Sequence, residues 1–101
     1  MQGIGYALTE EVPIDEGVVR SSLFADYLMP TSMDVPDVEP IVLEVGPGKG
    51  PFGARGIGEP PIAPPAAAIA NAVADATGVR ITRLPLTPER VLEGLRPLPS
   101  P

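Results

Sequence analysis

Proline and glycine recur along almost the whole chain, and they set the strictest limit on its fold. Residues 46–61 contain six glycines and four prolines. Proline cannot donate a backbone hydrogen bond and glycine tolerates left-handed backbone, so this stretch is predicted to be a long shaped loop. Over the whole chain, these two residue types make up about a quarter of the 101 residues, which is typical of loop-rich sequence.

The apolar content of the chain argues against disorder. Hydrophobic residues make up 44% of the sequence, which is too high for disorder caused by low hydrophobicity. A chain of 101 residues has room for one small domain. With four aromatic side chains and no cysteine, any core must consist of Ala, Val, Ile and Leu without disulfides. Independent folding is therefore expected to be marginal, and we expect the chain to depend on further protein.

The charge and the residue types exclude several classes of partner. The net charge of −6 disfavours nucleic acid, which requires a basic face. No stretch approaches the roughly 20 apolar residues of a membrane span, and no secretory signal is visible. Since cysteine and histidine are both absent, the chain has no thiolate or imidazole ligand for a metal. These features predict a cytoplasmic protein with no nucleic-acid or membrane partner, in which a transition-metal site would have only carboxylates as ligands, and we assign no metal-binding residue.

Local patterns predict an α+β fold, a small loop-rich segment with a buried alanine-rich helix and short strands. The helix is expected to have Pro64 and Pro65 at its N-terminus, to run over residues 66–77 and to end at Gly78. Its faces are almost all apolar, as in a buried helix. A helix end is expected before Pro13, then an irregular arm over 14–38 with one turn near 23–28. Strands are expected over 39–45 and 79–84, and a short helix opens at Thr87. We divide the chain into an arm and strand (1–45), a glycine and proline active-site loop (46–62), a helix–strand–helix unit (63–95) and a tail (96–101).

Three local hypotheses compete for the chemistry of the loop. A phosphate cradle is one, but Lys49 has no Ser or Thr after it and the pair Gly56 and Gly58 lacks the third glycine of a dinucleotide motif. The proline spacing over 60–65 is also that of a polyproline ligand. The third candidate is Glu59, either a solvated loop carboxylate or a base that the neighbouring prolines hold rigidly against a ligand.

The loop sequence resembles a known motif. Residues 50–61 are similar to the motif near the C-terminus of the molybdopterin-binding subunits of xanthine dehydrogenase, aldehyde oxidase and their bacterial relatives; they read GPFGARGIGEPP. The resemblance continues at residues 2–11, 26–31, 63–64, 67–71, 75–80 and 84–91. It therefore spans almost the whole chain, and it implies that the chain is part of a larger molybdopterin-binding domain.

The resemblance implies hydroxylation of an aldehyde or nitrogen heterocycle with oxygen from water, at molybdenum held by a pterin dithiolene. Glu59 falls at the position of the family's catalytic glutamate, which takes the proton from a hydroxyl on the metal. Such a hydroxyl is already acidified, so a nearby carboxylate can complete its activation. The resemblance places these residues beside the cofactor: Gln2, Arg55, Gly56, Ile57 and Gly58.

The resemblance also implies the cofactor and the partners. The cofactor is expected to be molybdopterin, in the cytosine dinucleotide form common in bacterial relatives. The expected partners are the remainder of the molybdenum subunit, FAD and 2Fe-2S subunits or domains, and a small-molecule substrate. Because family subunits are several times longer, this oxidoreductase segment is expected to be inactive alone. The alternative is a non-catalytic remnant or interaction piece that binds no cofactor.

Overall fold

The computed structural model describes residues 1–96. These residues fold into three helices and one pair of very short strands, joined by long irregular segments. In chain order the elements are α1 (Gln2–Leu8), β1 (Ile14–Asp15), β2 (Val18–Val19), α2 (Ala63–Thr77) and α3 (Pro88–Leu95). Single 3₁₀ turns occupy Ser32–Asp34, Pro51–Gly53 and Pro60–Ile62. This architecture confirms the small, loop-rich α+β segment. Apart from Arg96, the predicted tail lies outside the described residues.

Helix α2 is the longest element, and its sequence explains both of its ends. Alanine has the highest helix propensity, and prolines in the first turn cost no hydrogen bond. At the other end Gly78 adopts φ 74°, and its N–H donates to the Ala74 carbonyl at 2.8 Å. The helix begins at Ala63, so Pro64 and Pro65 lie in its first turn as predicted, and the 3₁₀ turn Pro60–Ile62 continues directly into it.

The expected burial of α2 needs a correction. No residue of α2 is buried by the part of the chain that the structure describes. Its main neighbours among the described elements are α1 and the 3₁₀ turn Pro60–Ile62, and Arg80 donates a hydrogen bond to Asn71 at 3.0 Å. The apolar faces that predict burial therefore remain open in this chain by itself.

The core of the chain is small and lies between α1 and the segment before α3. Ala7 is 0% exposed and Leu86 is 4% exposed. The Leu86 N–H donates to the Ala7 carbonyl at 2.6 Å, which ties the two segments together. Gly3 and Gly5 are also buried, because α1 packs closely against its neighbours. On Gly3, a Cβ atom would lie 2.7 Å from Pro65 Cγ, so only glycine allows α1 to approach α2 this closely.

The strands form elsewhere than predicted. Strands β1 and β2 pair antiparallel, with Ile14 opposite Val19, inside the arm that was expected to be irregular. Glu16 and Gly17 connect them with φ 48° and 79°, the two positive values of a type I′ hairpin turn. An acidic residue followed by glycine between apolar residues was the signal for this hairpin.

The predicted strands over 39–45 and 79–84 are wrong for the described structure. Neither segment is a strand, and the only paired strands among residues 1–96 are β1 and β2. Residues 39–45 have the composition of a strand, but a strand needs a hydrogen-bonded neighbour, and no described residue supplies one. After α2, the Thr77 hydroxyl instead accepts a bond from the Val79 N–H at 3.2 Å and turns the chain.

The arm is held against α1 by polar contacts. The Thr9 hydroxyl donates to the Leu28 carbonyl at 2.7 Å, and the Tyr27 hydroxyl donates to Glu10 Oε2 at 2.6 Å. The hydrogen bond to Glu10 raises the pKa of Tyr27 above its usual value. The predicted turn near 23–28 is present, since the Leu23 carbonyl accepts from the Asp26 N–H. Among the described residues, no helix has the length and apolar character needed to cross a membrane.

Candidate functional site

The first half of the glycine loop, residues 46–55, is tied together by its own hydrogen bonds. The Gly48 N–H donates to the Gly53 carbonyl at 2.8 Å. The Arg55 guanidinium donates from Nη2 to the carbonyl oxygens of Gly46 and Pro47, at 3.2 and 3.3 Å. Arg55 therefore closes this half of the loop on itself. A contact between Arg55 and a cofactor stays a prediction.

The second half of the loop, residues 56–59, is presented to its surroundings. The backbone N–H groups of Gly56, Ile57, Gly58 and Glu59 donate to no described residue, and all four residues are exposed. The Glu59 side chain likewise makes no hydrogen bond or ion pair within residues 1–96. This part of the loop thus offers one carboxylate and several backbone donors to a ligand.

The position of Glu59 is determined by the element that follows it. Its carbonyl accepts from the Ile62 N–H at 3.0 Å, which begins the 3₁₀ turn Pro60–Ile62 that leads into α2. Pro60 and Pro61 restrict the backbone directly after it. Because residues 60–65 are helical, they do not form the polyproline II conformation that an adaptor ligand requires. The polyproline-ligand hypothesis is therefore wrong for this structure.

Helix α1, which carries Gln2, packs beside this turn through Gly3. On Gly3, the next residue, a Cβ atom would lie 3.1 Å from the Ile62 carbonyl oxygen. Gln2 is exposed, and its Nε2 donates to the Tyr6 hydroxyl at 2.9 Å. Two residues predicted for one site, Gln2 and Glu59, thus lie on neighbouring elements although 57 positions separate them in the sequence.

The loop residues fit a cofactor that approaches their backbone. A Cβ atom added to Gly56 or Gly58 would meet nothing within 4 Å, so open space lies beside both glycines. Unpaired backbone N–H groups beside open space can donate to the oxygen atoms of a bound group. No set of three or more side chains that could hold a metal ion occurs among residues 1–96.

One cavity lies away from the predicted site residues. It has a volume of about 490 Å³ and lies between α1 and the arm, where Ile4, Leu8, Met29 and Pro30 are among its lining residues. A second cavity of about 440 Å³ lies beside Arg55 and residues 43–46, and a cavity of about 360 Å³ lies beside Gln2. Glu59 lines none of these cavities. We base the site on the loop, because Glu59 and the unpaired backbone N–H groups of residues 56–59 lie there.

The ion pair between Glu11 and Arg90, which joins two distant segments, could not be predicted from the sequence. Arg90 Nη2 donates to both carboxylate oxygens of Glu11, at 2.7 and 2.9 Å, and its Nη1 donates to the Pro85 carbonyl at 2.9 Å. The pair joins the segment after α1 to α3. Glu11 and Arg90 lie 79 positions apart, so no local pattern links them.

Comparison with known proteins shows consistent similarity. The family model described as a molybdopterin cofactor-binding domain matches residues 1–36. A putative xanthine dehydrogenase molybdenum-binding subunit of Escherichia coli (strain K12) is 52% identical over 93 residues, 90% of this chain and 12% of the relative. An aldehyde oxidoreductase of Megalodesulfovibrio gigas is 46% identical over 96 residues, 94% of this chain and 10% of the relative.

A solved structure agrees with these sequences. The crystal structure of quinoline 2-oxidoreductase from Pseudomonas putida 86 superposes with a TM-score of 0.83 at 37% identity. The match covers 93% of this chain and 12% of that one. The chain thus spans about an eighth of the length of the proteins it matches.

Proposed function

The chain belongs to the family of the molybdenum-binding subunits of xanthine dehydrogenase and aldehyde oxidoreductase, and from this premise we propose that it is a C-terminal segment that supplies the catalytic base, Glu59. The reaction we propose is oxidation of an aldehyde or a nitrogen heterocycle, with water as the source of oxygen. Since the chain spans about an eighth of such a subunit, the other residues of the active site come from the rest of that subunit.

The observation that carries this proposal is the presentation of Glu59. Its carboxylate has no partner within the described residues, while its backbone is held by the Ile62 hydrogen bond and the proline pair. A general base needs a carboxylate that is held in place yet free to accept a proton. Glu59 lies one 3₁₀ turn before a 15-residue helix, which supports this role because a helix gives a more rigid support than a loop.

The predicted residues have distinct parts in the proposed site, and Arg55 supports the loop beside the cofactor. Glu59 accepts a proton at its carboxylate from the oxygen nucleophile derived from water. The backbone of Gly56, Ile57 and Gly58 lets the cofactor approach and donates hydrogen bonds to it. Gln2 contributes a side-chain amide from α1. When bound, the molybdenum cofactor supplies a two-electron redox centre and makes the oxygen nucleophile more acidic.

The complete enzyme would contain more than this subunit. The Escherichia coli relative is itself named a subunit, which supports an assembly with other proteins. We propose that the electrons removed from the substrate pass to FAD and 2Fe-2S subunits or domains. For the cofactor we propose the cytosine dinucleotide form of molybdopterin, as the resemblance implies. We also propose a cytoplasmic location.

The test is Glu59→Gln in the complete enzyme, assayed on the aldehyde or heterocycle that the wild type oxidises. Glutamine keeps the size of the side chain but cannot take a proton. Since general-base catalysis contributes about 100-fold to 10,000-fold, we expect kcat to fall by at least about 100-fold. Molybdenum and pterin content, measured by elemental analysis and fluorescence, should stay at the wild-type level.

A matched control is Glu16→Gln, which makes the same change in the exposed turn between β1 and β2. We expect this variant to keep wild-type turnover. If Glu59→Gln retained full activity, Glu59 would not be the base. If the wild-type complex carried no molybdenum or pterin, the chain would instead be the non-catalytic remnant.

A further inference from the structure

Gln2 and Tyr6 lie one turn apart on the same face of α1. The Gln2 Nε2 atom donates a hydrogen bond to the Tyr6 hydroxyl at 2.9 Å. Side chains four positions apart are neighbours on a helix surface, so the bond forms without any distortion of the helix. Within residues 1–96 it is the only hydrogen bond of the Gln2 side chain. Tyr6 therefore determines which way the Gln2 amide points.

The Tyr6 side chain lies between Gln2 and the arm. Tyr6 is 43% exposed, and it lines the cavity of about 360 Å³ together with Gln2, Glu10 and Tyr27. Tyr27 belongs to the arm and is bonded to Glu10 at 2.6 Å. That bond is the main cause of the raised pKa of Tyr27, and the nearby Tyr6 also contributes. The arm thus lies beside Tyr6, while the Tyr6 hydroxyl reaches Gln2.

An amide held in this way is prepared to bind a ligand. A free glutamine side chain loses much torsional freedom when it binds, and this loss weakens binding. A hydrogen bond that already holds the amide reduces the loss without any new contact with the ligand. The bond to Tyr6 uses one N–H of the Gln2 amide, so the other N–H and the Oε1 atom stay available.

We propose that Tyr6 is a positioning residue, whose hydroxyl holds the Gln2 amide in the orientation in which that amide binds the molybdenum cofactor. Tyr6 acts through Gln2 and needs no contact of its own with the cofactor. The inference rests on the cofactor contact of Gln2 in the proposed function, and it does not depend on the role of Glu59.

The test is Tyr6→Phe in the complete enzyme. The measurement is the rate at which the purified enzyme loses its pterin, followed by the fluorescence of the released pterin. Phenylalanine keeps the ring but removes the atom that accepts from Gln2. Loss of one hydrogen bond should make pterin loss about threefold to tenfold faster. The urea midpoint of the apo protein should stay unchanged, because the bond is exposed. Pterin loss at the wild-type rate, or a lower urea midpoint, would overturn the inference.

Tyr27→Phe is the matched control. It removes a hydroxyl from the same cavity, but this hydroxyl is bonded to Glu10 and not to Gln2. We expect pterin loss within about twofold of the wild-type rate. Equal acceleration in the two phenylalanine variants would show that the packing of the cavity matters and the bond to Gln2 does not, which would overturn the inference.

A double-mutant cycle with Gln2→Ala separates positioning from a structural role. Gln2→Ala alone should speed pterin loss, and adding Tyr6→Phe should change the rate no further, because the amide that Tyr6 holds is absent. Acceleration by Tyr6→Phe in both backgrounds would overturn the inference. Wild-type pterin loss in Gln2→Ala would refute the cofactor contact in the proposed function and this inference with it. Faster loss in Gln2→Ala but not in Tyr6→Phe would overturn this inference alone.

Discussion

At the scale of single residues, the glycine loop divides into residues that hold it and residues that it presents. Arg55 bonds to the carbonyls of Gly46 and Pro47 and so belongs to the first group. Gly58 and Glu59 belong to the second, because both are exposed and their backbone N–H groups have no described partner. The Glu59 carboxylate has no described partner either. The two groups respond differently to substitution, and this difference separates a structural role from a cofactor-binding role.

Gly58→Ala should remove the cofactor without destabilising the fold. The added Cβ would meet nothing within 4 Å, and the backbone of Gly58 is not left-handed. In the complete subunit, however, the methyl group would occupy the space through which we propose the cofactor approaches. We expect molybdenum and pterin content to fall at least about tenfold, and the urea midpoint of unfolding to stay unchanged in apo protein.

Gly78→Ala is the matched control, because its added Cβ also meets nothing within 4 Å but its φ is 74°. Left-handed backbone costs a residue with a Cβ about 1 to 2 kcal/mol. This variant should therefore lose stability and keep its cofactor. A Gly58→Ala protein with full cofactor content would contradict the close approach of the loop backbone.

The sequence identified these loop residues through the motif that they share with a family. From the residues themselves, Glu59 remained either a solvated carboxylate or a base. The structure shows how the backbone of Glu59 is held in place: Pro60 and Pro61 follow it, and the 3₁₀ turn that they begin leads into α2. The hydrogen bonds of Arg55 to its own loop could not be predicted, because they depend on how residues 46–55 fold back.

At the scale of elements, the Glu11 and Arg90 ion pair holds α3 to the segment after α1. The Arg90 side chain is 14% exposed, and it makes three hydrogen bonds to Glu11 and Pro85. Together with the Leu86 to Ala7 backbone bond, this contact surrounds the small core. Because α1 carries Gln2, the pair also positions one of the proposed cofactor contacts.

Arg90→Lys should destabilise this region. Lysine carries the same charge, but its three N–H donors share one nitrogen, so it cannot reproduce the planar fork in which Nη2 of Arg90 bonds Glu11 and Nη1 bonds the Pro85 carbonyl. Hydrogen bonds to charged groups are worth about 1.5 to 3 kcal/mol, and we expect a loss of that order in the local opening free energy. Hydrogen exchange of the α3 peptides in the complete subunit measures it.

Arg83→Lys is the comparison for this ion pair. Arg83 lies 3.9 Å from the same Glu11 oxygen, but its side chain is 76% exposed. Exposed ion pairs contribute little to stability, so we expect the local opening free energy of α3 to change by no more than about 0.5 kcal/mol. If Arg90→Lys and Arg83→Lys lowered the local opening free energy equally, Arg90 would not be the residue that holds α3 in place.

Local signals predicted the helices better than the strands. Helix α2 follows from its alanines, its initial prolines and Gly78, and α3 follows from Thr87, whose hydroxyl accepts from the Arg90 N–H at 3.4 Å. All these signals lie within a few residues of the element. A strand depends on a partner that is distant in sequence, so the strand predicted over 39–45 has no counterpart among the described residues.

At the scale of the whole molecule, the chain is too extended to be a self-contained domain. Its radius of gyration is 18.0 Å, whereas a compact domain of this length has about 13 Å. Its extents are 59 × 35 × 28 Å, and large apolar side chains such as Phe24, Met33 and Phe52 are almost fully exposed. Such a surface is stable only when other protein covers it.

The isolated chain should therefore not unfold cooperatively. We expect its far-ultraviolet circular dichroism to change gradually with temperature, without a sigmoidal transition, because too little apolar surface is buried to offset the loss of chain entropy. The complete subunit, melted under the same conditions, provides the comparison. A sharp transition in the isolated chain would contradict the dependence on the rest of the subunit.

The role of Glu59 is tested most directly by the first half of the reaction alone. The complete enzyme, wild type or Glu59→Gln, is mixed with its substrate without an electron acceptor, and the rate at which the enzyme becomes reduced is followed by absorbance. When the two enzymes contain equal amounts of molybdenum, we expect Glu59→Gln to be reduced at least about 100-fold more slowly than the wild type, because proton removal belongs to this step. Reduction of the variant at the wild-type rate would contradict the assignment of Glu59 as the base.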